Sequence, residues 1–214
     1  MIQPKNITTL IFDFDGTIAD TLELHRQIYN ELALKYHHDQ ISESDIPNLQ
    51  NLGMREFLKK VKIPLLHLPT LILEGQQLAK KYPISLPIPG IIPVIQSLSE
   101  SYTLGIVTSN TKAYCQAFLA RHQLEKYFSF VQAERDLFGK DHKLKKVIRE
   151  HDLQIEKTVY IGDEVRDIDA ARKVPLQNIG VGWGFNSAEA LEKAHADTIF
   201  ADPRELLSFF TNRQ

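Results

Sequence analysis

The sequence predicts an α/β fold: a three-layer α/β/α core built on a parallel sheet, with a small all-helical domain inserted after the first strand. Three observations carry this. The N-terminal run Thr8-Thr9-Leu10-Ile11-Phe12 is short, β-branched and aromatic, the pattern of a strand buried on both faces. Sequence with helical spacing then extends to about Tyr82, and Pro83, Pro87, Pro89 and Gly90 mark a stiff connector and helix entry. Beyond the connector, strand-like runs alternate with helical stretches, which argues for parallel strands joined by right-handed crossovers. The core is therefore assigned to residues 1–17 and 84–214 and the inserted domain to residues 18–83.

Within the inserted domain, Leu24, Ile28, Leu32 and Tyr36 recur at four-residue steps and define one stripe of a helix. Asp20 and Glu23 are spaced as an N-terminal capping box for it. Further helices are expected over Met54 to Val61 and about Leu66 to Tyr82, separated by Pro47, Gly53 and Pro64, with no strand in this region. The remaining strands are expected at Thr103 to Thr108, Ser129 to Ala133, Thr158 to Ile161, Asn178 to Val181 and Thr198 to Ala201.

Composition narrows the possible partners. The 214 residues carry 25 basic and 27 acidic side chains, a net charge of −2, with no long run of either sign. Neither a nucleic-acid groove nor an anionic membrane is suggested, and the expected partner is a small soluble molecule. A single cysteine, Cys115, excludes an internal disulfide and reads as packing on a helix face. The segment Met1 to Asn6 has no apolar signal core, and no stretch reaches the roughly 18 apolar residues of a membrane span. The expectation is a cytoplasmic protein, monomeric or homodimeric.

The chemistry gathers at strand ends. Asp13 and Asp15 emerge from the first strand in Asp13-Phe14-Asp15-Gly16-Thr17, where a bare turn would also use Asp-Gly. The C-terminal edge of a parallel sheet is where ligands bind, beside a point of strand-order reversal. The second core strand opens into Thr108-Ser109-Asn110, whose hydroxyls and amides suit an anionic oxygen, or which cap the helix starting near Lys112. Gly162 leads into Asp163, Glu164, Arg166 and Asp167, a second acidic cluster that could also serve a helix N-terminus. Adjacent central strands would bring Asp13, Asp15, Asp163 and Asp167 around one crevice. Two like charges 4 Å apart repel by about 4 kcal/mol at an effective dielectric of 20, more than capping offsets, so a cation is expected among them. Hard oxygen ligands without a Cys or His cluster favour Mg²⁺. Lys140, in Leu137-Phe138-Gly139-Lys140-Asp141-His142-Lys143, is the candidate monocation, with Lys143 as competitor.

These residues, in this order from Asp13 to Asp167, resemble the four motifs of the haloacid dehalogenase superfamily: Asp13 to Thr17 the first, Thr108 the second, Lys140 the third, Gly162 and Asp163 through Asp167 the fourth. The helical insertion and the tail Val181 to Asn186 resemble the phosphoglycolate phosphatase and β-phosphoglucomutase branch. The resemblance implies a Rossmann-like core with a helical cap, Asp13 as the nucleophile forming an aspartyl-phosphate, and Asp15 as general acid and base. It further implies that Thr108, Ser109, Asn110 and the loop Phe14, Gly16, Thr17 receive the phosphoryl group and that Lys140 stabilises its charge. Mg²⁺ would be bound by Asp13, Asp163 and the backbone carbonyl of Asp15, with Asp167 acting through water or by orienting Lys140. One departure is that Asp141 follows the lysine where proline often does in this branch.

Arg55, in Leu52-Gly53-Met54-Arg55, sits where the branch places a substrate-facing cap loop, or is a surface residue of a short helix. The function implied is a Mg²⁺-dependent phosphatase of small phosphomonoesters, of the phosphoglycolate or sugar-phosphate type. The alternatives are a sugar-phosphate mutase, which must keep the aspartyl-phosphate from water, and a catalytically silent binding module.

Overall fold

The computed structural model describes residues 2–133 and 139–212. Six strands, β1 (Thr9–Phe12), β2 (Thr103–Thr108), β3 (Phe130–Ala133), β4 (Thr158–Gly162), β5 (Gln177–Val181) and β6 (Thr198–Phe200), form one sheet in the order β3-β2-β1-β4-β5-β6. Every pairing is parallel. Strand order therefore reverses between β1 and β4, and the crevice beyond their C-terminal ends is the place such a sheet offers a ligand.

The sheet is buried on both faces because its residues alternate between two apolar clusters. Leu10, Phe12, Leu104, Ile106, Val159 and Ile161 face one way, and Ile11, Val107 and Tyr160 the other. The first face is covered by α5 (Ile91–Ser99), α6 (Lys112–Arg121) and α10 (Pro203–Thr211), through Ile95, Phe118 and Phe210 among others. The second is covered by α7 (Lys140–Glu150) and α8 (Val165–Lys173), through Leu144, Val147 and Ala171. The short α9 (Ala188–Lys193) joins β5 to β6. Helices on both faces of a parallel sheet complete the three layers expected. Cys115 lies fully buried within the first cluster, as a packing residue.

Between β1 and α5 stand α1 (Leu22–Tyr36), α2 (Ile46–Leu49), α3 (Met54–Lys60) and α4 (Leu68–Ala79), with no strand among them. They enclose a separate apolar cluster of Ile28, Leu32, Ile41, Leu58, Val61, Ile63 and Leu71, against which Leu24 and Tyr36 also pack. The predicted stripe on α1 is thus the face it buries.

Two local expectations are corrected and one segment is added. Asp20 and Glu23 form no capping box: Thr21 is the N-cap, and Glu23 instead binds Arg26 at 2.7 Å and Gln27 at 2.7 Å. The backbone before α1 is held by the returning connector, with Asp20 N–H donating to Leu86 O and Ile88 N–H to Ile18 O, both at 2.9 Å, and that contact fixes the helix entry. The last helix of the insertion starts at Leu68 rather than about Leu66, because Pro69 suits the first turn and a 3₁₀ turn, Leu65–His67, precedes it. Finally, the segment Glu43 to Leu49, passed over in the sequence, folds as a 3₁₀ turn running into α2.

Candidate active site

Registry between neighbouring strands assembles the site. Phe12 pairs with Ile161 on β4 and with Ile106 on β2, so Asp13 leaves the sheet beside Gly162 and just ahead of Asp163, and one step before Thr108. Asp13 N–H donates to Ile161 O at 2.7 Å, which extends the ladder one residue past the strand. Carboxylate oxygens of Asp13, Asp163 and Asp167 then lie within 4.8 Å of one another, all buried. Asp15 is not part of this group: its carboxylate accepts both its hydrogen bonds, at 3.1 and 3.0 Å, from Asn110 Nδ2.

Lys140, at the start of α7, is the cation in the cluster. Its Nζ is 2.9 Å from Asp13 Oδ2 and also pairs with Asp167, and all three side chains are nearly inaccessible. Lys143, one turn on, donates to Thr108 O at 3.4 Å instead. Of the run that suggested these lysines, Leu137 and Phe138 lie outside the described residues. Burial opposes the Lys140 charge, but Asp13 and Asp167 outweigh it and hold the ammonium above its usual range. Burial is also the main reason the Asp13 carboxyl is pushed up to about 7, against the opposing pull of Lys140. Asp163 is likewise raised, by burial and then by Glu164 and Asp13.

Asp163 is oriented on every side. Thr17 Oγ1 donates to its Oδ1 at 2.6 Å and Phe185 N–H to its Oδ2 at 2.8 Å. Gly16, at φ +75°, and Gly184 lie so close that a Cβ on either would collide with the Asp163 carboxylate. Thr17 is thus engaged by Asp163, and Gly16 serves close approach. The Phe14 ring is withdrawn from the site, because strand alternation continues past β1 and turns it into the core, edge-on to Phe118 with centroids 5.0 Å apart. Any contact of Phe14 with a ligand is therefore through its backbone.

Thr108 and Ser109 do not cap α6. Thr111 does, accepting from Tyr114 N–H at 3.2 Å, while Thr108 Oγ1 accepts from Asn110 N–H at 3.0 Å at the turn beside Asp13. Arg55 is exposed on α3 and is not among the residues lining the cavity that runs from Asp15 and Asn110 into the insertion, or a second cavity bounded by Glu164, Phe185 and Asn186.

The roles of several residues escaped the sequence reading. Tyr160 on β4 donates from beneath the site towards Val107 O at 3.2 Å and lies 3.4 Å from Asp167 Oδ1. Its place in an apolar run hid it. Asn186 joins the two parts of the molecule, accepting from Val165 N–H and donating to Gln50 O and Leu52 O, all at 2.9 Å. Gln50 Nε2 returns a bond to Gly184 O at 2.9 Å. Arg166 and Glu164, paired with each other, line a cavity of about 310 Å³ that runs from Asp15, Ser109 and Asn110 into the helices of the insertion.

The haloacid dehalogenase-like hydrolase family model matches residues 10–181. The chain belongs to that family. This hydrolase is 34% identical over 204 residues to a phosphoglycolate phosphatase of Synechococcus elongatus, covering 94% of this chain and 96% of the relative. It is 24% identical over 217 residues to the pyrophosphatase PpaX of Listeria innocua, covering 97% and 98%. Among solved structures, a haloacid dehalogenase-like family hydrolase from Streptococcus pneumoniae superposes with a TM-score of 0.82 at 21% identity, over 97% of this chain and 100% of that one. The hydrolase is an enzyme of the phosphatase kind, in the phosphoglycolate phosphatase-like branch of its family. No helix among the described residues is long and apolar enough to cross a membrane.

Proposed function

We propose that this hydrolase is a Mg²⁺-dependent phosphatase that cleaves small phosphomonoesters, of the phosphoglycolate or sugar-phosphate type, through an aspartyl-phosphate on Asp13. The observation that carries the reading is the asymmetry of the Asp13 carboxylate. Its Oδ2 is held by Lys140 at 2.9 Å, while its buried Oδ1 has no hydrogen-bond partner among the described residues. A buried, desolvated carboxylate oxygen without a partner is costly unless a ligand meets it.

The same orphan oxygen, with two further buried carboxylates within 4.8 Å, fits a hard divalent cation. Asp13 and Asp163 would hold it, joined by the backbone carbonyl of Asp15, with Asp167 acting through water or through Lys140. Bound there, Mg²⁺ would neutralise charge on the carboxylates and on the phosphoryl oxygens. The protein's own groups do the rest. Asp13 attacks phosphorus as the ester oxygen departs, and Asp15, aligned by Asn110, gives that oxygen its proton. Asp15 then takes a proton from the water that hydrolyses the aspartyl-phosphate. Thr108 and the amides of the following turn receive phosphoryl oxygens, and Lys140 offsets their charge. Residues 1–17 and 84–214 act as the catalytic core and residues 18–83 as the cap that keeps bulk water out.

The test is a phosphate-release assay with Mg²⁺ over phosphoglycolate, sugar phosphates, nucleotides and pyrophosphate. Release from a phosphomonoester, abolished in Asp13→Asn, is the expected outcome. No release from any compound, or release that persists in Asp13→Asn, overturns the proposal.

A further inference from the structure

Most of the buried polar atoms left without partners belong to residues that line one cavity. Besides Asp13 Oδ1 they are Arg166 Nε and Nη1, Thr21 Oγ1, His38 Nε2 and Gln76 Oε1, among the described residues. Thr21, His38, Gln76 and Arg166 all line the cavity of about 310 Å³ that opens beside Asp15 and Asn110. Folded proteins match nearly all such atoms, so a chamber that collects the exceptions is built for a ligand that supplies the missing partners.

Arg166 defines the chemistry of that ligand. A guanidinium offers five donors and always carries its charge. One arm of Arg166 pairs with Glu164. The remaining nitrogens have no hydrogen-bond partner among the described residues, and the cavity that Arg166 lines together with Asp15 and Asn110 continues between apolar side chains such as Ile28, Leu32, Phe57 and Leu71. Arg166 also sits near the reacting group, close enough for its charge to act on Asp13 and Lys140.

We propose that Arg166 is the specificity-determining residue of the cavity and receives a carboxylate on the leaving group, so that the preferred substrates are phosphate esters of hydroxy acids. The assignment rests on the phosphatase reading and narrows its substrate class. Replacing a charge-assisted hydrogen bond of this kind changes binding by about 10- to 100-fold.

The test compares each acid with its neutral counterpart: 2-phosphoglycolate against 2-hydroxyethyl phosphate, and 3-phosphoglycerate against glycerol 3-phosphate. Kd values are measured by calorimetry on Asp13→Asn with Mg²⁺, and kcat/KM on the wild type. In at least one pair the acid should bind about 10-fold more tightly or better. Arg166→Gln, added to Asp13→Asn, should cut that ratio to about 2 or less, and Arg166→Lys should keep part of it. Equal binding of acid and neutral ester overturns the proposal without any Arg166 variant, and so does a preference that survives Arg166→Gln. Selective binding without turnover by the wild type would count against the phosphatase reading alone.

Discussion

Lys140 Nζ meets Asp13 Oδ2 at 2.9 Å with 3% and 2% of the two side chains exposed, so a buried cation fixes one oxygen of the nucleophile candidate and leaves the other open. Breaking a buried pair by removing one partner typically costs about 3–5 kcal/mol, because the other charge is left uncompensated. Lys140→Met should therefore lower the urea-unfolding free energy by about that amount in metal-free protein. Phosphate release should fall with it, and added Mg²⁺ should restore part of the stability but not the turnover.

The raised carboxyl of Asp13 makes stability depend on pH when metal is absent. Its unfolded value is 3.8 and its folded value about 7, so between these the folded state binds more protons than the unfolded one. Stability must then fall as pH rises from about 4 to about 7, and Asp163, also raised, acts in the same direction. Thermal melting in chelator should show a lower Tm at pH 7 than at pH 5. Mg²⁺ should raise Tm more at pH 7 than at pH 5, because protons compete with it less for Asp13 and Asp163. A Tm that climbs over this range without metal would contradict the assignment.

Thr17 tests the orientation of Asp163. Its hydroxyl donates at 2.6 Å to a fully buried carboxylate that a Cβ at Gly16 or Gly184 would displace. Thr17→Val keeps the shape and deletes the donor, so stability should drop by about 1–3 kcal/mol. The Mg²⁺ concentration for half-maximal activity should rise about 10- to 100-fold, as for other residues that orient metal ligands. An unchanged Mg²⁺ titration would show that Asp163 needs no such support.

Asn110 should matter to the rate more than to the fold. It is half-buried and holds both oxygens of Asp15, at 3.1 and 3.0 Å. Asn110→Ala should lower kcat about 10-fold with a Tm change of a few degrees. Asp15→Asn, which removes the proton carrier itself, should lower kcat about 10²- to 10⁴-fold. If the two variants had equal kcat, Asn110 would be more than an aligning group.

Asn186, held in the core by Val165 N–H, joins the Gln50–Leu52 loop through two hydrogen bonds, all three at 2.9 Å. In Asn186→Ala these backbone groups lose their partner, and residues 50–53 should be cut faster by protease in the native state. Equal cleavage rates would place the hold between the two parts elsewhere.

The residue pattern alone specifies the α/β class, the six strands to within a residue or so, the helical insertion, and the acids that the site brings together. These are local signals: apolar runs at strand spacing, a four-residue stripe at Leu24, Ile28, Leu32 and Tyr36, and charged residues just past strand ends. Where the sequence was misread, a distant partner decides. Asp20 is spaced as a cap, but the connector at Leu86 to Ile88 sets the helix entry. Only the tertiary structure chose Lys140 over Lys143 as the partner of Asp13, turned the Phe14 ring into the core, left Arg55 at the surface and put Arg166 on the cavity wall. Periodicity along a chain reports which face of an element is buried. Which charge meets which depends on strand registry and on how helices more than a hundred residues apart pack around one crevice.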